Sequence, residues 1–164
     1  MKKLSLERYA PPGVNLKTER NLFICGMVAA LLWSFSFFNS FSRYKGQLYY
    51  HRGDEAILRE GAVMEDFVVV LDKSLLGFLL LAFCLIMVAV YHYAYHYQDS
   101  KSIYLMRRLP DNMELHRRCL TLPAAAIVIA LLTAFVLLLI YYAVYMLATP
   151  PECLTPDQWQ KLWR

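Results

Sequence analysis

Along this chain, charged and apolar positions separate into blocks. Three stretches carry no Asp, Glu, Lys or Arg: residues 21–42 over 22 positions, 74–98 over 25 and 119–151 over 33. A helix crosses a hydrocarbon core of about 30 Å with about 20 predominantly apolar residues. Each stretch therefore predicts a transmembrane helix, over 21–42, 74–98 and 122–148. The first reads as a retained anchor. A cleaved signal peptide has an apolar core of about 7–15 residues, whereas this stretch is longer, follows 20 polar residues and ends in the bulky "WSFSFF". In the third, Pro123 suits a first helical turn, where its missing N–H loses no bond. The 27 residues from 122 to 148 extend about 40 Å at 1.5 Å per residue, so this helix overshoots the hydrocarbon and must tilt or project.

The segments between the blocks complete the expected architecture. It is an all-α membrane protein with three transmembrane helices, a cytoplasmic helix–turn–helix connector and a short C-terminal interfacial helix. Residues 1–20 form a basic N-terminal segment that "APPG" interrupts after a turn or two of helix. The loop 43–73 mixes Tyr, Leu, Ile, Val and Phe with six acids and reads as a structured cap rather than a linker. Within it, Asp54 to Glu60 reads as a short helix, and "VMEDFVVVL" as an early start of the second span. Residues 99–121 are the connector. In the tail, 149–164, Thr155 is placed to cap a helix with Pro156 at its first position. Trp159, Leu162 and Trp163 then fall at helical spacing, as on a helix lying in a membrane interface.

Composition agrees: 59% of the 164 residues are hydrophobic and the mean hydropathy is +0.36, against about 45–50% apolar in soluble domains. Charge sets the expected orientation. Residues 1–20 carry five Lys and Arg, and 99–118 five more. The 43–73 loop has five diluted among six acids, and the tail has Lys161 and Arg164. The positive-inside tendency predicts N-in and C-out, in a plasma membrane, with Tyr and Trp at the span ends as interfacial belts. Cys25 and Cys84 fall inside spans, Cys119 at a cytoplasmic helix start, and Cys153 alone on the outer side. No disulfide framework is expected, nor a structural metal, cofactor or catalytic activity. No GxxxxGK[ST] loop is present to hold ATP phosphates, and no nucleic-acid partner is expected.

His92 and His96, within "YHYAYHY", lie four apart and share a helix face. That spacing holds a metal only with further ligands, and the run lacks the acid of HExxH. An aromatic belt with the histidines facing water or a neighbouring helix outweighs a metal or haem site. Proton relays and coupled carriers place ionisable groups inside the bilayer. The three uncharged blocks therefore disfavour a channel or secondary transporter made of this chain alone.

The connector carries the strongest pattern. Ser100 or Ser102 can cap a first short helix, on which Ile103, Met106 and Leu109 form an apolar stripe flanked by Arg107 and Arg108. Pro110 ends it. Asp111 then caps a second helix with Glu114 at its third position, as in a capping box, and Arg117 and Arg118 follow. Anchoring to anionic lipid, at about 1 kcal/mol per basic residue, accounts for the arginines but not for the proline, the cap or the stripe. The segment has the form of a docking surface built from Ile103, Met106, Arg107, Arg108, Leu109, Pro110, Glu114, Arg117 and Arg118.

The order span, outer loop, span, "LMRRLP…ELHRR", span resembles the first half of the permease subunits of type-2 ATP-binding-cassette (ABC) exporters. There a leucine-rich stretch, "LP" and a basic cluster after the second span form the element that docks on the ATPase. The matching positions are Leu105, Met106, Leu109, Pro110, Glu114, Arg117 and Arg118. The resemblance implies a non-catalytic membrane subunit of a bacterial ABC export system, with a cytoplasmic ATPase or a larger permease as partner. Such permeases have six spans and this chain has three, which implies a half-size permease that assembles further, with a second copy for example, or an accessory subunit. The alternative is a membrane anchor or regulator that binds another membrane protein or lipid without transport.

Overall fold

A computed structural model describes residues 16–52, 55–59, 61–98 and 114–161. It is mostly helical (80%). In chain order the elements are α1 (Leu16–Ser34), α2 (Ser36–Gln47), β1 (Tyr49–Arg52), β2 (Glu55–Leu58), α3 (Phe67–Leu71), α4 (Leu76–Gln98), α5 (Glu114–Ala148), a 3-10 turn (Pro151–Cys153) and α6 (Gln158–Lys161). Among the described residues, three helical segments are long and apolar enough to cross a membrane: Leu16–Gln47, which joins α1 and α2, Leu76–Ala94 and Leu120–Ala148.

The chain divides into two compact units, one of residues 1–29 and 78–132, the other of residues 30–77 and 133–164. In the first, Leu81, Leu85 and Ala130 are buried, with Phe23, Met27, Ala126 and Ile127 packed against them. Gly26 makes room for this contact, since a Cβ there would lie 2.7 Å from Leu81 Cδ1. Large apolar side chains also face outward here, including Leu79, Leu80, Phe83, Ile86 and Leu132. Helices apolar all round belong inside a core or in lipid, and these side chains have no core to enter.

The second unit is built around aromatic rings. Phe37, Phe41, Phe67, Tyr141 and Tyr145 are buried together with Met64, Val70 and Cys153. Phe37 stacks on Tyr141 with ring centroids 4.4 Å apart, and Phe67 meets Tyr145 edge-on at 5.5 Å. Gly77 allows close backbone approach, because a Cβ there would stand 3.2 Å from Ala30 Cα.

Several boundaries differ from the expectations. The first candidate span starts at Leu16 and is broken at Phe35. Ser34 Oγ turns back to donate to the Leu31 carbonyl at 2.7 Å, and the Tyr141 hydroxyl lies 2.8 Å from Ser34 Oγ and 3.1 Å from the Ser34 carbonyl. A side chain entering the i→i−4 ladder is a recognised cause of such breaks. The loop contains a β-hairpin, so the fold is not purely helical and the helix expected over 54–60 is absent at Glu55–Leu58. Tyr49 pairs with Leu58 and Tyr50 with Ile57. Tyr49 and Leu58 both pack against the aromatic core, and this burial outweighs the helical propensity of "EAIL". "FVVVL" does not begin the second span. Asp72, at φ 41°, ends α3, and α4 starts separately at Leu76. Pro123 lies not in a first turn but inside the 35-residue α5. Finally, α6 begins at Gln158 rather than Pro156, and the Thr155 hydroxyl bonds Asp66 instead of capping it. Leu162 and Trp163 lie outside the described residues.

Candidate functional site

Of the expected docking residues, Ile103, Met106, Arg107, Arg108, Leu109 and Pro110 lie outside the described residues. Glu114, Arg117 and Arg118 are in the first turns of α5. Residues three and four apart share one side of a helix, so these three positions fall on a single face. The backbone then runs on without interruption through the third candidate span to Ala148. α5 is thus one helix from Glu114 to Ala148, with Pro123 inside it.

The first unit also holds an ionisable pair. His92 Nε2, on α4, lies 2.6 Å from Glu19 Oε1, on α1, with side-chain exposures of 8% and 27%. At that distance Nε2–H donates to the carboxylate, a charge-assisted bond that ties α1 to α4. The opposite ring nitrogen, Nδ1, is buried without a hydrogen-bond partner. The Tyr91 ring stands 6.2 Å away. Sequence reasoning placed His92 in an aromatic belt, facing water or a neighbouring helix, and did not point to Glu19. The available signal was α1's earlier start: once Leu16 opens the helix, Glu19 is in its first turn rather than in a separate polar tail. Among the described residues, no three of His, Cys, Asp and Glu come together as metal ligands. The side chain of His96 lies outside the described residues.

In the second unit, polar side chains close the turns. Asp66 Oδ1 accepts from Thr155 Oγ1 at 3.0 Å, Gln158 Nε2 at 3.2 Å and Lys161 Nζ at 2.6 Å. Gln158 is buried, and its Oε1 accepts from the Phe67 backbone N–H at 2.8 Å, while its Nε2 also contacts Thr155 Oγ1. One glutamine therefore binds both the side chain before α3 and the first N–H of α3. The Lys161 ammonium, then the Gln158 and Thr155 bonds, hold the Asp66 carboxyl below its ordinary 3.8 against the opposing effect of burial. Tyr145 donates to the Glu65 carbonyl at 2.7 Å. Trp159 meets Tyr142 edge-on at 5.1 Å, so α6 packs onto the second unit through both Gln158 and Trp159. This set of residues fastens the tail to the loop and contains no nucleophile–base pair.

No protein-family model matches the chain, and comparison with curated proteins and with solved structures also finds no match.

Proposed function

We propose that this chain is a non-catalytic integral membrane subunit that docks a cytoplasmic partner through its 99–121 connector. In the form that the exporter resemblance implies, the partner is the ATPase, or a larger permease, of an ABC export system in the plasma membrane. The N-terminus and connector then face the cytoplasm. The observation that carries the reading is the continuity of α5: Glu114, Arg117 and Arg118 share one face of the helix that also forms the third candidate span. At 1.5 Å per residue the 35-residue helix is about 52 Å long, well beyond a hydrocarbon core of about 30 Å. A partner bound to the arginine face would therefore hold the same helix that forms the third candidate span, with Pro123 between the two. Carboxylates on the partner would pair with the arginines, which suit bidentate recognition.

The second reading is a membrane anchor or regulator with no transport role. It is favoured by the helices over 76–94 and 120–148, which carry no Asp, Glu, Lys or Arg, the groups that coupled transport places in the bilayer. One experiment separates the two. The tagged native protein is purified in mild detergent and its bound proteins are identified by mass spectrometry, beside the double variant Arg117→Glu, Arg118→Glu. Under the first reading an ATPase co-purifies and the variant loses it. Recovery of the same unrelated membrane protein by both forms supports the second.

A further inference from the structure

The loop segment 63–71 has a surface suited to lipid. Val63, Val68 and Val69 are 62%, 41% and 46% exposed, while Phe67 and Val70 on the opposite side of α3 are fully buried. A five-residue helix that turns valines outward gains nothing from water. Several backbone groups in and beside it are bonded within the protein. Met64 N–H donates to the Cys153 carbonyl at 2.8 Å, Val69 and Val70 N–H to the Asp66 carbonyl at 2.9 and 3.1 Å, and Asp72 N–H to Val68 at 3.1 Å. The Glu65 carbonyl receives the Tyr145 hydroxyl, Phe67 N–H reaches Gln158, and the Lys73 carbonyl receives the Trp33 indole N–H at 3.2 Å. Satisfying backbone groups without water is the condition for non-spanning chain at membrane depth.

The level of α3 follows from its neighbours in the same unit. Phe67 packs against Tyr142 and Tyr145 of α5. Tyr142 lies six residues before Ala148, about 9 Å inside the end of the third candidate span at 1.5 Å per residue. The exposed Met146 and Leu147 carry the apolar surface of that span to its last turn. From these contacts we infer that segment 63–71 is seated in the bilayer, with Val63, Val68 and Val69 against acyl chains just beneath the headgroups, in the leaflet that covers the C-terminal end of α5. The exposed Glu65 within the segment and the exposed Asp72 and Lys73 just after it keep it shallow, since charges reach for the headgroup layer. Asp66, between them, is matched by Lys161. The loop is then a shallow collar on the membrane, and its ligand is phospholipid.

This inference rests on the membrane reading of the three apolar helices, and its test separates the two. Single cysteines are introduced into the full chain at Val68 and at Val69, at Leu79 as the lipid-facing reference (60% exposed), and at Gln47 as the exposed polar reference at the end of α2. Each protein is reconstituted in lipid nanodiscs, where both faces meet solvent, and labelled with a membrane-impermeant maleimide. The unsubstituted chain gives the background from the native cysteines. The expected result is labelling of V68C and V69C at the rate of L79C, roughly tenfold or more below Q47C, because the reactive thiolate does not form in hydrocarbon. All four must label fully in SDS. Fast labelling at both valines with L79C still protected overturns the collar alone. Fast labelling of L79C as well overturns the membrane reading beneath it. Because a misfolded cap would also label fast, Val68→Trp and Val69→Trp provide a second reading. Brominated acyl chains are expected to quench their added fluorescence, and a lack of added quenching at both positions overturns the collar.

Discussion

The two units hold themselves together in different ways. In the first, three apolar helical segments meet through Leu81, Leu85, Ala130 and their neighbours, and the pair His92–Glu19 ties α1 to α4. In the second, the chain reverses repeatedly, and side-chain bonds close one turn after another: Ser36 to Ser74, Trp33 to Lys73, Tyr141 to Ser34, Tyr145 to Glu65, and the cluster on Asp66. The contrast has a physical cause. A long helix satisfies its own backbone everywhere but at its ends, so it can pass through an apolar medium with apolar side chains alone. A chain that turns leaves N–H and C=O groups open, and each one buried without a partner costs about 1–3 kcal/mol. In the second unit the side-chain bonds lie where the turns are.

The largest expected effect tests this contrast through the cores. Phe67→Ala removes a fully buried ring from the aromatic cluster and is expected to destabilise the protein by about 3–5 kcal/mol. Leu85→Ala in the first unit has a nominal cost of about 2–5 kcal/mol and is expected at the bottom of that range, because acyl chains replace lost contacts between membrane helices. Unfolding by steric trapping in bicelles measures both. A cost for Leu85→Ala equal to or above that for Phe67→Ala would erase the distinction.

Next come the polar ties. Gln158→Ala strands the Phe67 N–H and removes one of the tail's three bonds to Asp66, with an expected loss of about 1–3 kcal/mol and earlier proteolysis near residue 155. Glu19→Gln weakens the tie between α1 and α4 by a similar 1–3 kcal/mol, as expected for a hydrogen bond to a charged group. If Glu19→Gln is silent while Gln158→Ala is not, the first unit does not depend on this tie and the contrast sharpens.

A smaller effect follows from Asp66. Lys161 and its other partners hold its carboxyl below the ordinary 3.8, so the folded state binds fewer protons than the unfolded state as the pH falls through that range. The sign is that of a depressed acid: the contribution is complete above the unfolded value near 3.9 and is lost as pH falls through the lower folded value. Thermal stability is expected to be indifferent to Asp66→Asn-sensitive titration between pH 7 and 5. Below about pH 4 the native protein should lose stability more steeply than the Asp66→Asn variant. Parallel melting curves down to pH 3 would remove the cluster from the account of how the tail is held.

How far the sequence showed this follows the same division. The spans were legible because an uncharged run of twenty or more residues has one dominant physical outcome, and the observed helices cover most of each run. The second unit was not. "EAIL" has helical composition, and only the distant burial of Tyr49 and Leu58 makes it a strand. Gln158 looked like one more polar tail residue, and nothing local places its amide against Phe67, 91 positions away. The His92–Glu19 pair was hidden because charge, rather than helix start, was used to bound the first span. For the expected docking face, the backbone of α5 carries Glu114, Arg117 and Arg118 together, while the stripe from Ile103 to Pro110 lies outside the described residues.

The mildest prediction concerns the joint between α3 and α4. Asp72 has φ 41° and ψ −127°, a region that L-residues occupy at a cost of about 1–3 kcal/mol. Its side chain is exposed, and what the fold uses here is the backbone direction: the Asp72 N–H closes α3 on the Val68 carbonyl at 3.1 Å. Glycine adopts this conformation freely but also gains freedom in the unfolded chain. Asp72→Gly is therefore expected to raise stability by about 1 kcal/mol or less, and Asp72→Ala, which keeps the Cβ, to give no such gain. If both substitutions behave alike, the carboxylate and not the backbone is what matters at this turn. A loss of stability in both would make Asp72 one more polar tie of the second unit, held by its side chain like Asp66.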